Sequence, residues 1–254
     1  MAVNFLNPAF ILRTQKYREN GLIVDFFCPN YGKVSAVAKK ALSFKGYLSL
    51  YQPFMPLSIS WQGQSELKQL ISIESSGNSV HLKGLIFYSA CYLNELLLKL
   101  LPVAENSIEL FGQYLLTINT LGQNPSRSEE EIVLRSFESA LIKHLGYEIG
   151  FTTTDHSECI FNIDTNYVLL PERGFITEDD FLSESTFRNR QAGGQSLLFS
   201  GPHLVELSKF GLQREGTRKT AKIINRIMID YLLGDKPLNS RKIYGQMLGR
   251  LQNK

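Results

Sequence analysis

The chain has 254 residues, 43% of them hydrophobic and 20% charged, with a formal net charge of +3. That balance excludes wholesale disorder, supports a sizeable core, and at this length admits two domains. No apolar run reaches the roughly 18–20 residues that cross a bilayer, and three separated cysteines (Cys28, Cys91, Cys159) make no disulfide framework. The N-terminal residues Met1 to Asn7 lack the basic-then-apolar pattern of a signal peptide, so a cytoplasmic location is expected.

The net charge hides a segregation. Residues 1–80 carry eight Lys/Arg against four Asp/Glu, residues 81–208 eight against 17, and residues 209–254 eleven against three. Two basic ends around an acidic middle suit an anionic partner met by the ends. Charge also drifts this far in chains with no such partner, and composition alone leaves both readings open.

Five strands are expected first. Ala9 to Thr14, Leu22 to Phe27 and Lys33 to Ala38 come in succession, the last two joined by the turn Pro29-Asn30-Tyr31-Gly32. From Leu57 the pattern alternates strictly, with Leu57, Ile59 and Trp61 on one face and Ser58 and Ser60 on the other. Gln62-Gly63-Gln64 supplies a turn, and Glu66 to Ile73 reads as a return strand with Leu67, Ile71 and Ile73 inward. Five short strands with few intervening helices predict a small closed barrel, SH3-like or OB.

This segment interleaves Lys33, Lys39, Lys40 and Lys45 with Tyr31, Phe44 and Tyr47, and sets Arg13, Lys16, Tyr17 and Arg18 after the first strand. Such a pattern suits single-stranded nucleic acid, because lysines release phosphate counterions while rings stack bases of any sequence. Alternatively the rings belong to the barrel core and the lysines solvate a loop.

Beyond residue 81 the period becomes helical. Leu85 to Leu101 is a long apolar run stopped by Pro102. Ile108, Phe111, Leu115 and Ile118 follow at helical spacing, with Gly122 placed as a C-terminal cap. Ser128 and Glu131 form a capping box ahead of Leu134, Phe137, Leu141 and Leu145, and Gly146 closes that helix. Residues 151–195 read as a small insertion with strands at Cys159 to Ile163 and Tyr167 to Leu170 and a polar, glycine-bearing end from Ser183 to Gly194. Two helices close the reading, Pro202 to Phe210 and Thr217 to Leu233, the second burying Ile223, Ile224, Ile227, Met228 and Tyr231. Arg218, Lys219, Lys222 and Arg226 make its basic face, either a solvated surface or a contact for phosphate or an acidic partner. The fold class is α+β: an OB-fold barrel over 1–80, a helical domain over 81–150 and 196–254, and the insertion over 151–195.

No catalytic constellation is present in the sequence. There is no phosphate loop with a following Lys-Ser or Lys-Thr, no Gly-x-Ser-x-Gly elbow, and no His-Glu-x-x-His helix among the four histidines (His81, His144, His156, His203). His156 and Cys159 have the spacing of half a zinc site, without a second half. Helix-dipole compensation accounts for Glu129 to Glu131. An enzyme is not expected, and neither is a metal or other cofactor.

The residues then match a family. Tyr17 to Phe27, Tyr31 to Lys39, Leu50 to Leu57, Gly63 to Lys68 and Tyr92 to Leu97 resemble the RecO family of bacterial DNA repair proteins. The likeness continues through Glu109 to Phe111, Leu134 to Glu138, Leu145 to Tyr147 and Lys236 to Arg241. No single stretch is a specific motif; the order and spacing over nearly the whole chain carry the resemblance. It implies an OB domain, a helical domain and a small zinc-finger-like insertion. Zinc-bearing members carry paired Cys-x-x-Cys motifs where this chain keeps only Cys159, so metal binding is not carried over.

The resemblance also implies a recombination mediator. Such a protein binds single- and double-stranded DNA, anneals complementary strands, and engages the acidic C-terminal tail of single-stranded DNA-binding protein (SSB). With RecR it helps RecA load onto coated strands, RecA being an indirect partner and RecF a further candidate. No membrane role follows, and a nucleoid-associated cytoplasmic location does. The expected DNA surface is Arg13, Lys16, Lys33, Lys39, Lys40, Lys45 and Lys68, extended by Arg218, Lys219, Lys222 and Arg226. The SSB tail needs an apolar pocket rimmed by cations, for which Phe111, Leu134, Arg135, Phe137 and Lys143 are the candidates. Arg135 is equally explained as a helix arginine paired with Glu131 or Glu138. The rival from another class is an OB-fold nucleic-acid-binding adaptor without annealing activity.

Overall fold

A computed structural model describes residues 3–39, 41–43, 45–103, 105–147, 149, 160–183 and 198–252, with the backbone alone at 3, 45–47, 251 and 252. It divides into two compact units, residues 1–126 with 235–254, and residues 127–234.

The first unit opens with five strands: β1 (Val3–Tyr17), β2 (Gly21–Cys28), β3 (Gly32–Ala38), β4 (Leu57–Gln62) and β5 (Leu67–Ser75). They close into a barrel in the order β1-β2-β3-β5-β4, antiparallel except for the β3–β5 pair. A short 3-10 helix, Lys45–Tyr51, links β3 towards β4. The expected barrel is thus present, in its OB-like form. Its interior is filled by Val24, Phe26, Ala36, Leu57, Ile59 and Trp61, all at most 1% exposed. Gly32 is required at the β2–β3 turn: its φ is +58°, and a Cβ there would sit 2.8 Å from the Glu105 carbonyl oxygen.

The return strand departs from its expected facing. Leu67 and Ile71 point outward, 39% and 48% exposed, and only Ile73 is buried. A bulge causes this: Ser60 pairs with Ser72 but Trp61 pairs with Leu70, so Ile71 is the extra residue and the alternation inverts before it.

Two helices pack on the barrel, α1 (Gly84–Leu100) and α2 (Ile108–Gly122). Phe10 and Phe27 face outward from β1 and β2 and meet Phe111 and Tyr114 of α2 at ring-centroid distances of 5.2–5.7 Å. Buried Asn94 of α1 donates to the Ile11 and Leu12 carbonyls, where the β1 register slips against β2, and accepts from the Tyr114 hydroxyl at 2.7 Å. Burial and the neighbouring Cys91 push the Tyr114 hydroxyl pKa up. The expected α2 stripe is half displaced. Leu110, Tyr114, Thr117, Ile118 and Leu121 are buried, whereas Ile108 and Leu115 are exposed.

The unit ends with a helix absent from the sequence reading, α7 (Asn239–Gln252). Glu95 of α1 caps it, accepting from the backbone N–H of Asn239 and of Ser240 at 2.9 and 2.8 Å and from the Ser240 hydroxyl at 2.6 Å.

In the second unit, α3 (Arg127–His144) packs on α6 (Glu215–Leu233), and α5 (Gly201–Phe210) packs on α6 as well. Gly146 closes α3 as expected, at φ +86°. The helix begins before Ser128, and Glu131 pairs with Arg127 and Arg218 instead of acting in a capping box. On α6, Ile224, Ile227 and Met228 are buried as expected, while Ile223 and Tyr231 lie outward. A small antiparallel sheet runs β7-β6-β8, formed by β6 (Asn166–Leu170), β7 (Gly174–Thr177) and β8 (Leu198–Ser200). The short helix α4 (Glu178–Ser183) follows β7. Residues 160–163 form a bend and turn, not the strand expected at Cys159 to Ile163. His156, Cys159 and most of Ser183 to Gly194 lie outside the described residues.

Candidate nucleic-acid interface

The β1–β2 turn and the β4–β5 loop bracket a groove of about 840 Å³. Tyr17 to Gly21 line one side, Gln62, Gly63, Ser65 and Leu67 to Gln69 the other, and Val37 and Lys39 from the end of β3 stand between. The topology sets these places. Tyr17 pairs with Gly21 across the tight β1–β2 turn, and the parallel β3–β5 register aligns Ser35 to Val37 with Leu67 to Gln69. At the turn Arg18 adopts φ +53° and carries its guanidinium over the Tyr17 ring, 5.1 Å from the centroid. Lys39 Nζ donates to Gln69 Oε1 at 3.2 Å. The lining therefore offers three cations (Arg18, Lys39, Lys68) against one carboxylate (Glu19), with one aromatic face and the amides of Asn20, Gln62 and Gln69. OB barrels bind oligonucleotides at the β2–β3 face and at the β1–β2 and β4–β5 loops. This groove occupies that position.

Among the expected DNA contacts, Lys39 and Lys68 meet here. Arg18 and Tyr17, adjacent to the expected Lys16, join them, while Lys16 itself is exposed on β1. Arg13 is committed elsewhere: its guanidinium lies 2.8 Å from buried Asp25, which also accepts from the Ser35 hydroxyl. Lys33 turns towards α1 and donates from Nζ to the Leu98 carbonyl at 3.0 Å. Burial lowers its pKa, Arg13 and Lys236 adding repulsion while Asp25 opposes the shift. Tyr31 stands edge-on to Trp61 at 5.1 Å and donates to Asn4, so it packs with the core instead of presenting a free face. Lys40 and Phe44 lie outside the described residues, as do the side chains of Lys45 and Tyr47.

On α6 the expected basic face separates. Lys219 and Arg226 are exposed and pair with Glu215 and Asp230, and Lys222 is exposed. Arg218 folds inward at 11% side-chain exposure, donating to the Leu212 and Gln213 carbonyls and meeting Glu131 at 3.5 Å.

The expected tail-pocket residues divide between the two units. Phe111 belongs to the first unit and packs on Phe10 and Phe27. Phe137 is wholly buried in the second unit. Arg135 is 10% exposed and donates to Glu138 at 2.6 Å, and Asn225 donates to the Arg135 carbonyl and to the other Glu138 oxygen. This is the paired arginine of the alternative reading, inside the unit instead of on its surface. Leu134 is half-buried and Lys143 exposed.

The family pattern "Recombination protein O N terminal" matches residues 1–78, and "Recombination protein O C terminal" matches residues 83–242. The chain belongs to the RecO family. Proteins named DNA repair protein RecO resemble it along their length. That of Marinobacter nauticus is 34% identical over 238 residues, 93% of this chain and 92% of that protein. That of Cellvibrio japonicus is 33% identical over 240 residues, covering 94% and 96%. That of Hamiltonella defensa is 36% identical over 242 residues, covering 93% and 95%. The chain is thus a RecO-family DNA repair protein with an OB-like barrel. No helix among the described residues is long and apolar enough to cross a membrane.

Proposed function

We propose that this chain is a recombination mediator that binds DNA through the groove between the β1–β2 turn and the β4–β5 loop. The observation that carries the reading is the convergence of Arg18, Lys39 and Lys68 with the Tyr17 ring at the OB ligand position. Cations there lower the repulsion between two phosphate backbones, and the ring gives an unpaired base a face to stack on. The protein works by binding and aligning strands, without covalent chemistry or a cofactor, in the cytoplasm at the nucleoid. Lys219, Lys222 and Arg226 form a second, weaker cationic surface.

Membership of the RecO family supports the wider role. In it the chain engages the SSB tail, acts with RecR, and promotes loading of RecA onto SSB-coated strands, with RecF further along the same route. The test is annealing of two complementary labelled oligonucleotides pre-coated with the cognate SSB. Acceleration that disappears when the SSB tail is deleted supports the mediator. Acceleration on bare strands alone rejects the SSB contact, and none in either case leaves a DNA-binding adaptor.

A further inference from the structure

The N-terminal half of β1 carries a second irregularity. Asn4 lies opposite Trp61 and Asn7 opposite Ile59, so Phe5 and Leu6 together face the single residue Ser60. This two-against-one arrangement is a β-bulge. Phe5 and Leu6 are 69% and 68% exposed, more than any other large apolar side chain among the described residues. Leu6 has φ +50°, a left-handed conformation that a branched apolar residue adopts only when its surroundings hold it there.

The surroundings do hold it. The Leu6 N–H donates to Oγ of buried Ser60 at 3.1 Å, and Asn7 Nδ2 donates to the Phe5 carbonyl at 3.3 Å. Asn4 accepts from the Tyr31 hydroxyl, whose ring is seated on Trp61. An anchored backbone therefore presents two adjacent apolar side chains to water.

Their position is informative. Val3 pairs with Gln62, a groove-lining residue. Two residues along a strand span about 7 Å and one strand spacing is about 4.8 Å, so the Phe5 backbone lies within about 10 Å of the groove wall. That is roughly three nucleotides of a stacked strand at about 3.4 Å each.

We propose that Phe5 and Leu6 form an apolar wedge that stacks against the bases of a single strand as it leaves the groove. The proposal rests on the groove reading above. An unpaired nucleobase offers the flat π-face that an exposed, pre-positioned phenyl ring fits, whereas a duplex keeps its faces covered by its own stack. The basic groove holds the phosphates, and the wedge holds neighbouring bases apart, leaving their pairing edges open to a complementary strand.

The test uses the full chain and a labelled oligothymidylate. Phe5→Ala removes a largely exposed ring and keeps the parent's fold, which circular dichroism checks. It is expected to weaken binding about ten-fold, the scale of one lost stacking contact. The slope of log affinity against log salt stays at the parent's value, since a phenyl ring releases no counterion. Phe5→Trp retains affinity, and its emission is quenched on saturation with the oligonucleotide; Trp61, 1% exposed, contributes a constant background. Equal affinity of parent and Phe5→Ala, with Phe5→Trp unquenched, overturns the wedge, leaves the groove reading intact, and makes the bulge a protein contact. A parent that binds no oligothymidylate overturns the groove reading, and the wedge with it.

Discussion

Lys33 Nζ donates to the carbonyl oxygen of Leu98 at 3.0 Å, joining the barrel strand β3 to the last turn of α1. The partner is one of the carbonyls that a helix C-terminus leaves without an intrahelical donor, and the positive charge also suits the negative end of the helix dipole. Lys33 is therefore an internal tie. Lys33→Met should leave oligothymidylate affinity and its salt slope unchanged while lowering stability by about 1 kcal/mol, the typical net worth of such a bond. Fluorescence anisotropy and urea unfolding measure the two effects; a large loss of affinity in a folded variant would return Lys33 to the DNA surface.

Lys39 and Lys68 should behave in the opposite way. Each phosphate contact on a single strand contributes about 0.7 to the slope of log affinity against log salt. Lys39→Ala and Lys68→Ala together are expected to lower that slope by about 1.4 with little change in stability. Anisotropy titrations at several salt concentrations check this.

The Arg135–Glu138 pair makes a stability prediction. Both side chains are at most 10% exposed, and Arg135 Nε is buried without a hydrogen-bond partner. Removing Arg135 takes a cation 2.6 Å away from the buried Glu138 carboxylate, so Arg135→Met should destabilise the chain by about 3 kcal/mol. Arg135→Met with Glu138→Leu should recover much of that loss, because neither charge then remains. Urea unfolding gives both values, and a near-neutral single variant would show that the pair does not hold α3.

Glu95 sets a pH dependence for α7. Burial raises its pKa, but the bonds from Ser240, Asn239 and Lys99 outweigh that and hold it below the usual 4.5. A depressed carboxylate stabilises the fold above its unfolded pKa and loses that contribution as the pH falls through the folded value. Protection factors of residues 239–252, taken relative to the intrinsic exchange rate at each pH, should therefore fall below about pH 4.5 in the parent. In Glu95→Gln the exchange should already be faster at neutral pH, by the roughly 1 kcal/mol typical of a lost N-terminal cap. Identical profiles for the two proteins would remove Glu95 from this role.

Much of the architecture was legible because it follows from period. Leu57, Ile59 and Trp61 alternate and are all buried, and Pro102 follows the end of α1. Leu67 and Ile71 misled because the bulge at Ile71 is set by cross-strand pairing, which no local pattern records. Ile108 and Leu115 fit the helical period as well as the true stripe does, and only the outward-facing Phe10 and Phe27 select the face that carries Tyr114. The helix α7 is rich in polar residues, and its N-terminal cap comes from Glu95, 144 positions away.

The site was legible in composition and not in geometry. A strand lysine shows no sign of its partner, so Lys33, bound to Leu98, and Lys39, at the groove, read alike. Arg135 stood beside apolar residues either as a pocket rim or as half of an ion pair, and only packing on α6 decides between them. The apolar bulge was missed because Phe5 and Leu6 look like strand residues. The register slip opposite Ser60 exposes them.

The central claim is that a single strand lies in the groove between the β1–β2 turn and the β4–β5 loop. Hydrogen exchange by mass spectrometry, with and without saturating oligothymidylate, tests it most directly. Slowed exchange is expected at Tyr17 to Gly21 and at Gln62 to Gln69, with lesser change on α6. Protection confined to residues 218–226 of α6, with both loops exchanging as in the free protein, would contradict it.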